Sequence, residues 1–291
     1  MKLKMPKIKI FHSTFNRSGW GNFLVFMFLA LFGVFFLFPI VYSVLNAFKP
    51  LEEIMIFPPR MYIVNPTVDN FLELAMLMED SWVPLSRYLF NSILISVVGT
   101  LGHLLLSSMA AYPMAKHNFP GRKVFSKVIV MSLLFTASVT YIPLYIVMNV
   151  LGLIDNQLAV ILPALQSSLG LYLMQNFMSG IPESMLEAAR IDGAGEFRIY
   201  WKIVMPNVKP AWLTLIIFSF QGLWNATGAS YLYSEELKML PSIIGTITSG
   251  GVRRAGVSAA AALLMMLPPI LIFVFSQKSV IQTMSSSGLK E

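Results

Sequence analysis

The residue types most often used in catalysis are sparse and scattered in this chain. It has no cysteine, which excludes disulfides, thiolate zinc sites and a cysteine nucleophile. Its three histidines, His12, His103 and His117, are too far apart in sequence for a histidine metal motif. The patterns G-x-x-x-x-G-K-[ST], H-E-x-x-H and G-x-S-x-G do not occur. We therefore predict no catalytic residue and no metal site in this chain.

One charged stretch, EAARIDGAGEFRIYWKIVMP (residues 187–206), interrupts an otherwise apolar sequence. Just before it, Pro182 fits the first turn of a helix, and Glu183 in that turn complements the helix dipole. Gly193 can adopt the left-handed conformation that ends a helix. A second short helix then follows and stops at Pro206. The pattern predicts a helix–turn–helix.

The first of these helices carries Glu187 followed by Ala188 and Ala189. The two alanines have almost no side chain, so a partner can approach closely, and Glu187 supplies a charge for an ion pair or hydrogen bond. The pattern therefore indicates a docking surface. A helical hairpin that merely lies at the membrane interface is the alternative.

A second set of residues combines amides and aromatic rings within long apolar segments. Such amides are costly in hydrocarbon unless they face a partner helix or a wet cavity. Aromatic faces and amides are also the groups that a sugar pathway needs. Interhelical hydrogen bonding and interfacial anchoring are the alternative. The candidate substrate-pathway residues are Tyr172, Gln175, Asn176, Gln221, Trp224 and Asn225.

The composition indicates a membrane protein. The 291-residue chain has a mean hydropathy of +0.69 and 12% charged residues, whereas soluble domains carry about a quarter. A helix crosses a bilayer with roughly 20 apolar residues. Six stretches qualify, and we predict six spans at residues 20–48, 88–112, 128–148, 157–178, 211–233 and 257–277.

The charge distribution predicts the orientation of these spans. Lys and Arg concentrate before the first span, after the second, after the fourth and after the sixth. Because basic residues accumulate on the cytoplasmic side, both termini are predicted to be cytoplasmic. The basic residues are thus divided among four segments. This distribution indicates contact with membrane lipid and argues against nucleic-acid binding, despite the net charge of +7.

The predicted spans contain no Asp, Glu, Lys or Arg, and His103 is their only histidine. A proton relay requires groups that change charge inside the membrane. We therefore interpret His103 as a packing residue and expect the energy for any transport to come from another subunit.

The charged stretch resembles the EAA loop of bacterial ABC-importer permeases. It matches the pattern E-A-A, three residues, G, nine residues, I-x-x-P, with Met205 where a leucine is usual, at Glu187, Ala188, Ala189, Gly193, Ile203 and Pro206. Segments such as NPTVDNF and FQGLWNATGASYLY resemble carbohydrate-uptake permeases of the maltose type, over about residues 20–282. The similarity is to the six-span partner of the two permeases, and to the polysaccharide-fragment branch.

This resemblance implies an all-α membrane protein with the type I ABC-importer permease fold, in a bacterial cytoplasmic membrane. It implies a basic tail (1–19), a six-span domain (20–282) whose EAA loop (182–206) forms a coupling helix, and a C-terminal tail (283–291). The residues implied to contact the ATP-binding subunit are Glu187, Ala188, Ala189, Asp192, Gly193 and Phe197.

The implied partners are a second homologous permease, two ATP-binding subunits, an external solute-binding protein and an oligosaccharide. ATP and Mg would be bound in the partner subunits, and this chain would hold no cofactor and be no enzyme. The substrate could be an acidic fragment such as one of alginate. Arg253 and Arg254, outside the sixth span, would face that substrate, the binding protein or solvent. The alternatives are an ion-coupled secondary transporter and an ABC permease for another small solute.

Overall fold

In the computed structural model of the chain, residues 19–79, 83–135 and 137–287 are described, and they form helices and turns without a β-strand. The α-helices are α1 (Gly19–Ala47), α2 (Leu51–Ile54), α3 (Asp69–Glu79), α4 (Leu85–Lys116), α5 (Arg122–Ser132), α6 (Ala137–Val150), α7 (Leu158–Leu165), α8 (Ser168–Ser179), α9 (Glu183–Ile191), α10 (Glu196–Ile199), α11 (Met205–Asn207), α12 (Lys209–Trp224), α13 (Leu240–Thr248) and α14 (Ala255–Ser287). The predicted all-α architecture is confirmed.

Helix α4 is the centre of the bundle and packs against α7, α8 and α12. Small residues allow this close packing. A Cβ added at Gly99 would lie 2.5 Å from Leu223 in α12, and one at Gly102 would lie 2.7 Å from Leu165 in α7. The α4 face toward these helices also buries small side chains, among them Ser92, Ser96, Thr100, Ser107, Ser108 and Ala111.

His103 lies on the same face of α4 and is 3% exposed. Its Nδ1 atom is 3.2 Å from Ser219 Oγ of α12, and its ring packs against Gly170 of α8. This position agrees with the interpretation of His103 as a packing residue, because it fills the junction of three helices.

Length and composition identify four helical segments able to cross a membrane within the described residues: Gly19–Ala47, Leu85–Lys116, Leu158–Ser179 and Val252–Gln277. A fifth is added if Glu196–Asn207 and Lys209–Trp224, which are bent by 78°, count as one span. The third and fifth predicted spans therefore differ from the structure, whereas the fourth, 157–178, corresponds to the segment Leu158–Ser179.

The predicted span 128–148 is divided between α5 and α6. Ser132, the last residue of α5, places its hydroxyl 2.6 Å from the Ile129 carbonyl oxygen and 2.6 Å from Ser168 Oγ. A serine that bonds to its own helix and to a neighbour competes with helix continuation. The apolar part that continues as a helix, Val139–Val150, is shorter than a full span.

In two other predicted spans the helix is interrupted or ends early. Segment 157–178 breaks between α7 and α8, where Ser167 is extended. Segment 211–233 ends as a helix at Trp224, since Asn225 bonds back to the Gln221 carbonyl oxygen and Gly228 has a positive φ of 65°. Residues 226–234 form a loop. They were included in the predicted span because Tyr231 and Leu232 are apolar. At the C-terminus, α14 continues five residues beyond the predicted domain end at 282.

Candidate functional site

The predicted helix–turn–helix is present between α8 and α12. Helix α9 follows Pro182, and Gly193 takes the left-handed conformation with φ of 79°. The amide of Ala194 donates to the Ala189 carbonyl oxygen at 3.0 Å, which closes the helix end. The chain then enters α10 at Glu196, continues through a π-helical turn (Tyr200–Val204) and α11, and reaches α12. We call residues 183–207 the hairpin.

The inner face of the hairpin packs into the largest described core cluster. Leu186, Ile199 and Val204 are fully buried against residues of α4, α8 and α12. Ala189 is 8% exposed and belongs to the same cluster. The structure therefore places Ala189 beneath the helix, where a small residue lets α9 lie close to the bundle, and not on the surface predicted for partner contact.

The outer face of the hairpin exposes apolar side chains without cover from the chain itself. Ile191 is 87% exposed and Phe197 is 73% exposed. Ala188 and Gly193, which were predicted to contact a partner, are exposed beside them. Contiguous exposed apolar side chains are typical of surfaces that contact another protein or a membrane. We call this set, with the exposed acidic residues Glu187 and Asp192, the docking face.

Sequence reasoning missed Ile191 as a member of the docking face. Its apolar type suggested the packed side of α9. The turn signal at Gly193 could have corrected this, because a residue in the last turn of a short helix can point away from the core.

Ion pairs and hydrogen bonds fix the hairpin to α4. Arg190 Nε lies 2.9 Å from Glu196 Oε1, and Arg190 Nη1 lies 3.5 Å from Glu183 Oε1. The Tyr112 hydroxyl of α4 donates to Glu196 Oε2 at 2.6 Å. This hydrogen bond, together with the Arg190 guanidinium, holds the pKa of Glu196 below its usual range. Lys116 of α4 adds a contact to Glu183 at 3.9 Å.

The hairpin is also tied to α12. Trp212 Nε1 donates to the Met205 carbonyl oxygen at 3.1 Å, and Tyr200 lies 2.6 Å from Ser108 of α4 through their hydroxyl groups. The helix axis bends by 78° between the segment ending at Asn207 and the one starting at Lys209. These contacts fix the hairpin to both α4 and α12.

The predicted substrate-pathway residues are not brought together in the described structure. Gln175 and Asn176 lie near the hairpin end of α8, while Asn225 follows the far end of α12. Gln175 donates to Ser126 Oγ at 3.2 Å. Tyr172, Asn176, Gln221 and Asn225 are exposed.

Trp224 is a core residue. It is 1% exposed, stacks on Phe220 with ring centroids 5.8 Å apart, and donates from Nε1 to the Met265 carbonyl oxygen at 3.0 Å. The alternative considered for these residues, helix packing, therefore describes Trp224. A tryptophan buried this completely has no ring face left for a sugar.

A cluster of tyrosines missed by sequence reasoning lies at the end of the molecule opposite the hairpin. Tyr145 of α6 stacks on Tyr231 with an interplanar angle of 19° and a centroid distance of 6.2 Å. The hydroxyl groups of Tyr145 and Tyr233 are 3.4 Å apart. We call these three residues the tyrosine cluster. Tyr145 lies 86 or more positions before Tyr231 and Tyr233 in the sequence, so no local sequence pattern could have linked them.

Asp155 holds the loop that carries this cluster. Its Oδ1 atom accepts from the amides of Tyr233 and Ser234 at 2.9 and 2.8 Å, and its other oxygen accepts from the Ser234 hydroxyl. These bonds keep the pKa of Asp155 below its usual range. The residue has a positive φ of 60°, a conformation that aspartate tolerates better than most residues.

At the same end, Arg253 and Arg254 line a cavity of about 590 Å³ with Glu73, Thr246 and Ser249. Arg254 Nη1 donates to the Ile247 carbonyl oxygen at 3.2 Å, whereas Arg253 is exposed. The cavity thus presents one anchored and one exposed guanidinium group.

The sequence and fold of the chain are similar to those of known proteins. It is 28% identical over 280 residues to the arabinooligosaccharides transport system permease protein AraQ of Halalkalibacterium halodurans, covering 94% of this chain and 96% of that protein. It is 28% identical to the polygalacturonan/rhamnogalacturonan transport system permease protein YtcP of Bacillus subtilis, covering 76% of this chain and 74% of that one.

A solved structure shares the fold with a TM-score of 0.76, at 23% identity, over 91% of this chain and 99% of that one. It is the crystal structure of a bacterial ABC transporter involved in the import of the acidic polysaccharide alginate. The relatives are permeases, which are non-catalytic subunits, in agreement with the predicted absence of a catalytic site.

A family profile described as "binding-protein-dependent transport system inner membrane component" matches residues 103–286, which is more than half of the chain and includes the whole hairpin. The chain therefore belongs to the family of inner membrane components of binding-protein-dependent transport systems.

Proposed function

We propose that this chain is a permease subunit of an ATP-driven oligosaccharide importer. We further propose that the ATP-binding subunits act on it through the hairpin. The observation that carries this proposal is the docking face itself: exposed Ile191 and Phe197 on a base that is buried and bonded to α4 and α12. The names of the relatives, which include transport of arabinooligosaccharides and polygalacturonan, support the substrate class.

The assembly that we propose contains a second homologous permease, two ATP-binding subunits and an external solute-binding protein. ATP and Mg belong to the ATP-binding subunits. The chain lies in a bacterial cytoplasmic membrane with both termini in the cytoplasm. The concentration of Lys and Arg at the hairpin side of the molecule supports this orientation.

The proposed mechanism is mechanical. Closure of the ATP-binding subunits on ATP displaces the docking face of residues 187–197. The displacement passes through the Glu196–Tyr112 contact and the Met205–Trp212 contact into α4 and α12. These two helices then shift relative to α8 and open the pathway to the other side. A flexible loop would absorb the motion, whereas the bonded hairpin transmits it.

We place the outer contacts of the saccharide at the tyrosine cluster and not at Trp224. A stacked tyrosine pair offers apolar ring faces to the sugar, and its hydroxyl groups bond to sugar hydroxyls. The residues of the predicted pathway that stay exposed, Tyr172, Asn176, Gln221 and Asn225, remain candidates deeper in the membrane.

We further propose that the oligosaccharide is acidic, such as an alginate fragment. Arg253, which is exposed and lines the 590 Å³ cavity, supports this, because a guanidinium group pairs with a carboxylate through two parallel hydrogen bonds. Arg253→Gln should weaken uptake of an oligouronate and leave uptake of a neutral oligosaccharide of the same length unchanged. Equal effects on both would reject the acidic substrate.

The coupling proposal is tested by Phe197→Ala in the complete importer reconstituted in vesicles. Because Phe197 is 73% exposed, we expect the stability of the chain to change by no more than about 0.5 kcal/mol. ATP-driven uptake should fall by about tenfold or more, as for an aromatic residue at the centre of an interface.

The matched control for this experiment is Phe275→Ala on α14, which removes an 82% exposed phenylalanine outside the hairpin. Uptake by this variant should match the parent. Unchanged uptake by Phe197→Ala, or an equal loss in both variants, would contradict the proposed role of the docking face.

A further inference from the structure

Another cavity lies beside α5 and shares only Gln175 with the sites discussed above. It measures about 840 Å³ and lies between the first turns of α5 and the end of α8. Its lining residues include Asn118, Phe119, Arg122, Lys123, Lys127 and Gln175. The cavity is on the hairpin side of the molecule, since Arg122 Nη2 donates to the Ala115 carbonyl oxygen near the end of α4.

The charges that line this cavity are all positive. Arg122 is held in place by Asn118 Oδ1 at 2.8 Å and by the Ala115 carbonyl oxygen at 3.2 Å. Lys123 and Lys127 are exposed and stand four residues apart, on one face of α5. Among the described side chains, none of these three cations forms an ion pair with a carboxylate.

The nearby hairpin differs in this respect, because its basic residues are paired. Arg190 contacts Glu183 and Glu196, and Lys116 contacts Glu183. The cavity also lies at the N-terminal end of α5, where the helix dipole favours an anion. Charge and dipole therefore both indicate a negatively charged ligand.

An apolar surface continues from the cations along α5. Val124, Phe125, Val128 and Met131 are 57–64% exposed. A helix that carries lysines beside exposed apolar residues lies in the membrane interface, with its apolar face among the acyl chains. A phospholipid matches both parts of this surface, whereas a free anion matches only the cations.

We propose that this cavity binds the phosphate headgroup of an anionic phospholipid of the cytoplasmic leaflet, with its acyl chains along Val124, Val128 and Met131. Arg122, Lys123 and Lys127 hold the phosphate, and the hydrogen bond between Gln175 and Ser126 joins α5 to α8 at the edge of the site. Because α8 leads directly into the hairpin, a lipid bound here stabilises the base of the hairpin. This site is independent of the substrate that is transported.

The test uses the full chain, purified with the subunits that accompany it, and native mass spectrometry in detergent micelles. The probes are phosphatidylglycerol and phosphatidylcholine with identical acyl chains, added in equal amounts. The parent should retain phosphatidylglycerol in preference to phosphatidylcholine. Lys123→Gln combined with Lys127→Gln should weaken the retention of phosphatidylglycerol by about thirtyfold, from the attraction of each lysine to an anionic lipid surface.

Two variants control this result. Lys209→Gln removes an exposed lysine at the start of α12, on the same side of the molecule, and should leave lipid retention unchanged. Lys123→Arg combined with Lys127→Arg keeps the charge and should retain the lipid, which separates loss of binding from loss of fold. Excess inorganic phosphate should not displace the lipid, because the apolar surface contributes to binding.

Three results would overturn the proposal. The first is equal phosphatidylglycerol retention by the parent and the Lys123→Gln, Lys127→Gln variant. The second is displacement of the lipid by inorganic phosphate, which would make the cavity a site for a soluble anion. The third is loss of an accompanying subunit from the double variant with lipid retention unchanged, which would make it a protein interface.

Discussion

At the scale of single residues, Gly193 is the position where backbone conformation decides the shape of the hairpin. Its φ is 79°, yet a Cβ added there would meet no atom within 4 Å. The penalty of a side chain at this position is therefore conformational and not steric. For an L-residue such as alanine it is about 1–2 kcal/mol.

Gly193→Ala should therefore lower the melting temperature of the importer and reduce uptake per ATP hydrolysed. Gly193→Asn should lie closer to the parent, because asparagine visits the left-handed region more readily. Thermal melting and the ratio of uptake to hydrolysis in vesicles measure both effects. If alanine and asparagine behave alike, the conformational account of Gly193 is wrong.

Tyr233 tests the outer contact of the substrate. Its side chain is 54% exposed, so its removal should leave folding and basal ATP hydrolysis intact. Tyr233→Ala should raise the substrate concentration needed for half-maximal uptake by about two- to tenfold, the contribution of one aromatic contact. Tyr62→Ala, at a 60% exposed tyrosine elsewhere, is the control and should have no effect. Equal concentrations for parent and Tyr233→Ala would remove the tyrosine cluster from the pathway.

At the scale of helices, the contact of α8 with α4 depends on Gly170. A Cβ at this position would lie 2.3 Å from His103 Nε2 and 2.9 Å from Leu215. Gly170→Ala should therefore destabilise the bundle by about 1–3 kcal/mol, the usual cost of overpacking. Gly222→Ala in α12, where nothing lies within 4 Å, should cost far less. Melting temperatures of the two purified variants should differ in this order, and equal values would contradict the packing assigned to α4 and α8.

The sequence predicts elements well where local chemistry sets their ends. The hairpin follows from Pro182, Glu183 and Gly193, whose roles in helix initiation and termination are local. The third and fifth spans were wrong in their bounds because hydropathy does not register the Ser132 hydroxyl or the Asn225 cap. Each of these polar groups ends a helix inside a segment that is apolar on average.

The candidate sites also combine features that local sequence predicts with features that only the tertiary fold creates. Of the residues predicted to contact a partner, Ala188 and Phe197 are exposed, whereas Ala189 is buried beneath them. The tyrosine cluster depends on a contact between α6 and the loop after α12, which only the tertiary fold creates. Asp155, in the loop that follows α6, fixes that contact by accepting from both Tyr233 and Ser234.

At the scale of the whole molecule, the chain is a bundle whose described membrane part holds no ionisable pair that could drive transport. The partly exposed hairpin is joined to α4 through Glu196 and to α12 through Met205. In the proposed function, the energy source acts on the docking face from outside the chain. In the same proposal, substrate recognition and energy input lie at opposite ends of the bundle, which α12 connects.

This arrangement is tested most directly by cross-linking at neighbouring alanines. The chain has no cysteine, so Ala188→Cys and Ala189→Cys each introduce a unique thiol. Ala188 is exposed on the docking face and Ala189 is 8% exposed beneath it. In membranes that contain the complete importer, a thiol-reactive cross-linker should join Ala188→Cys to an ATP-binding subunit, with a yield that changes on addition of ATP, while Ala189→Cys stays unlinked. A cross-link at Ala189→Cys equal to that at Ala188→Cys, or no cross-link to an ATP-hydrolysing subunit at Ala188→Cys, would contradict the account.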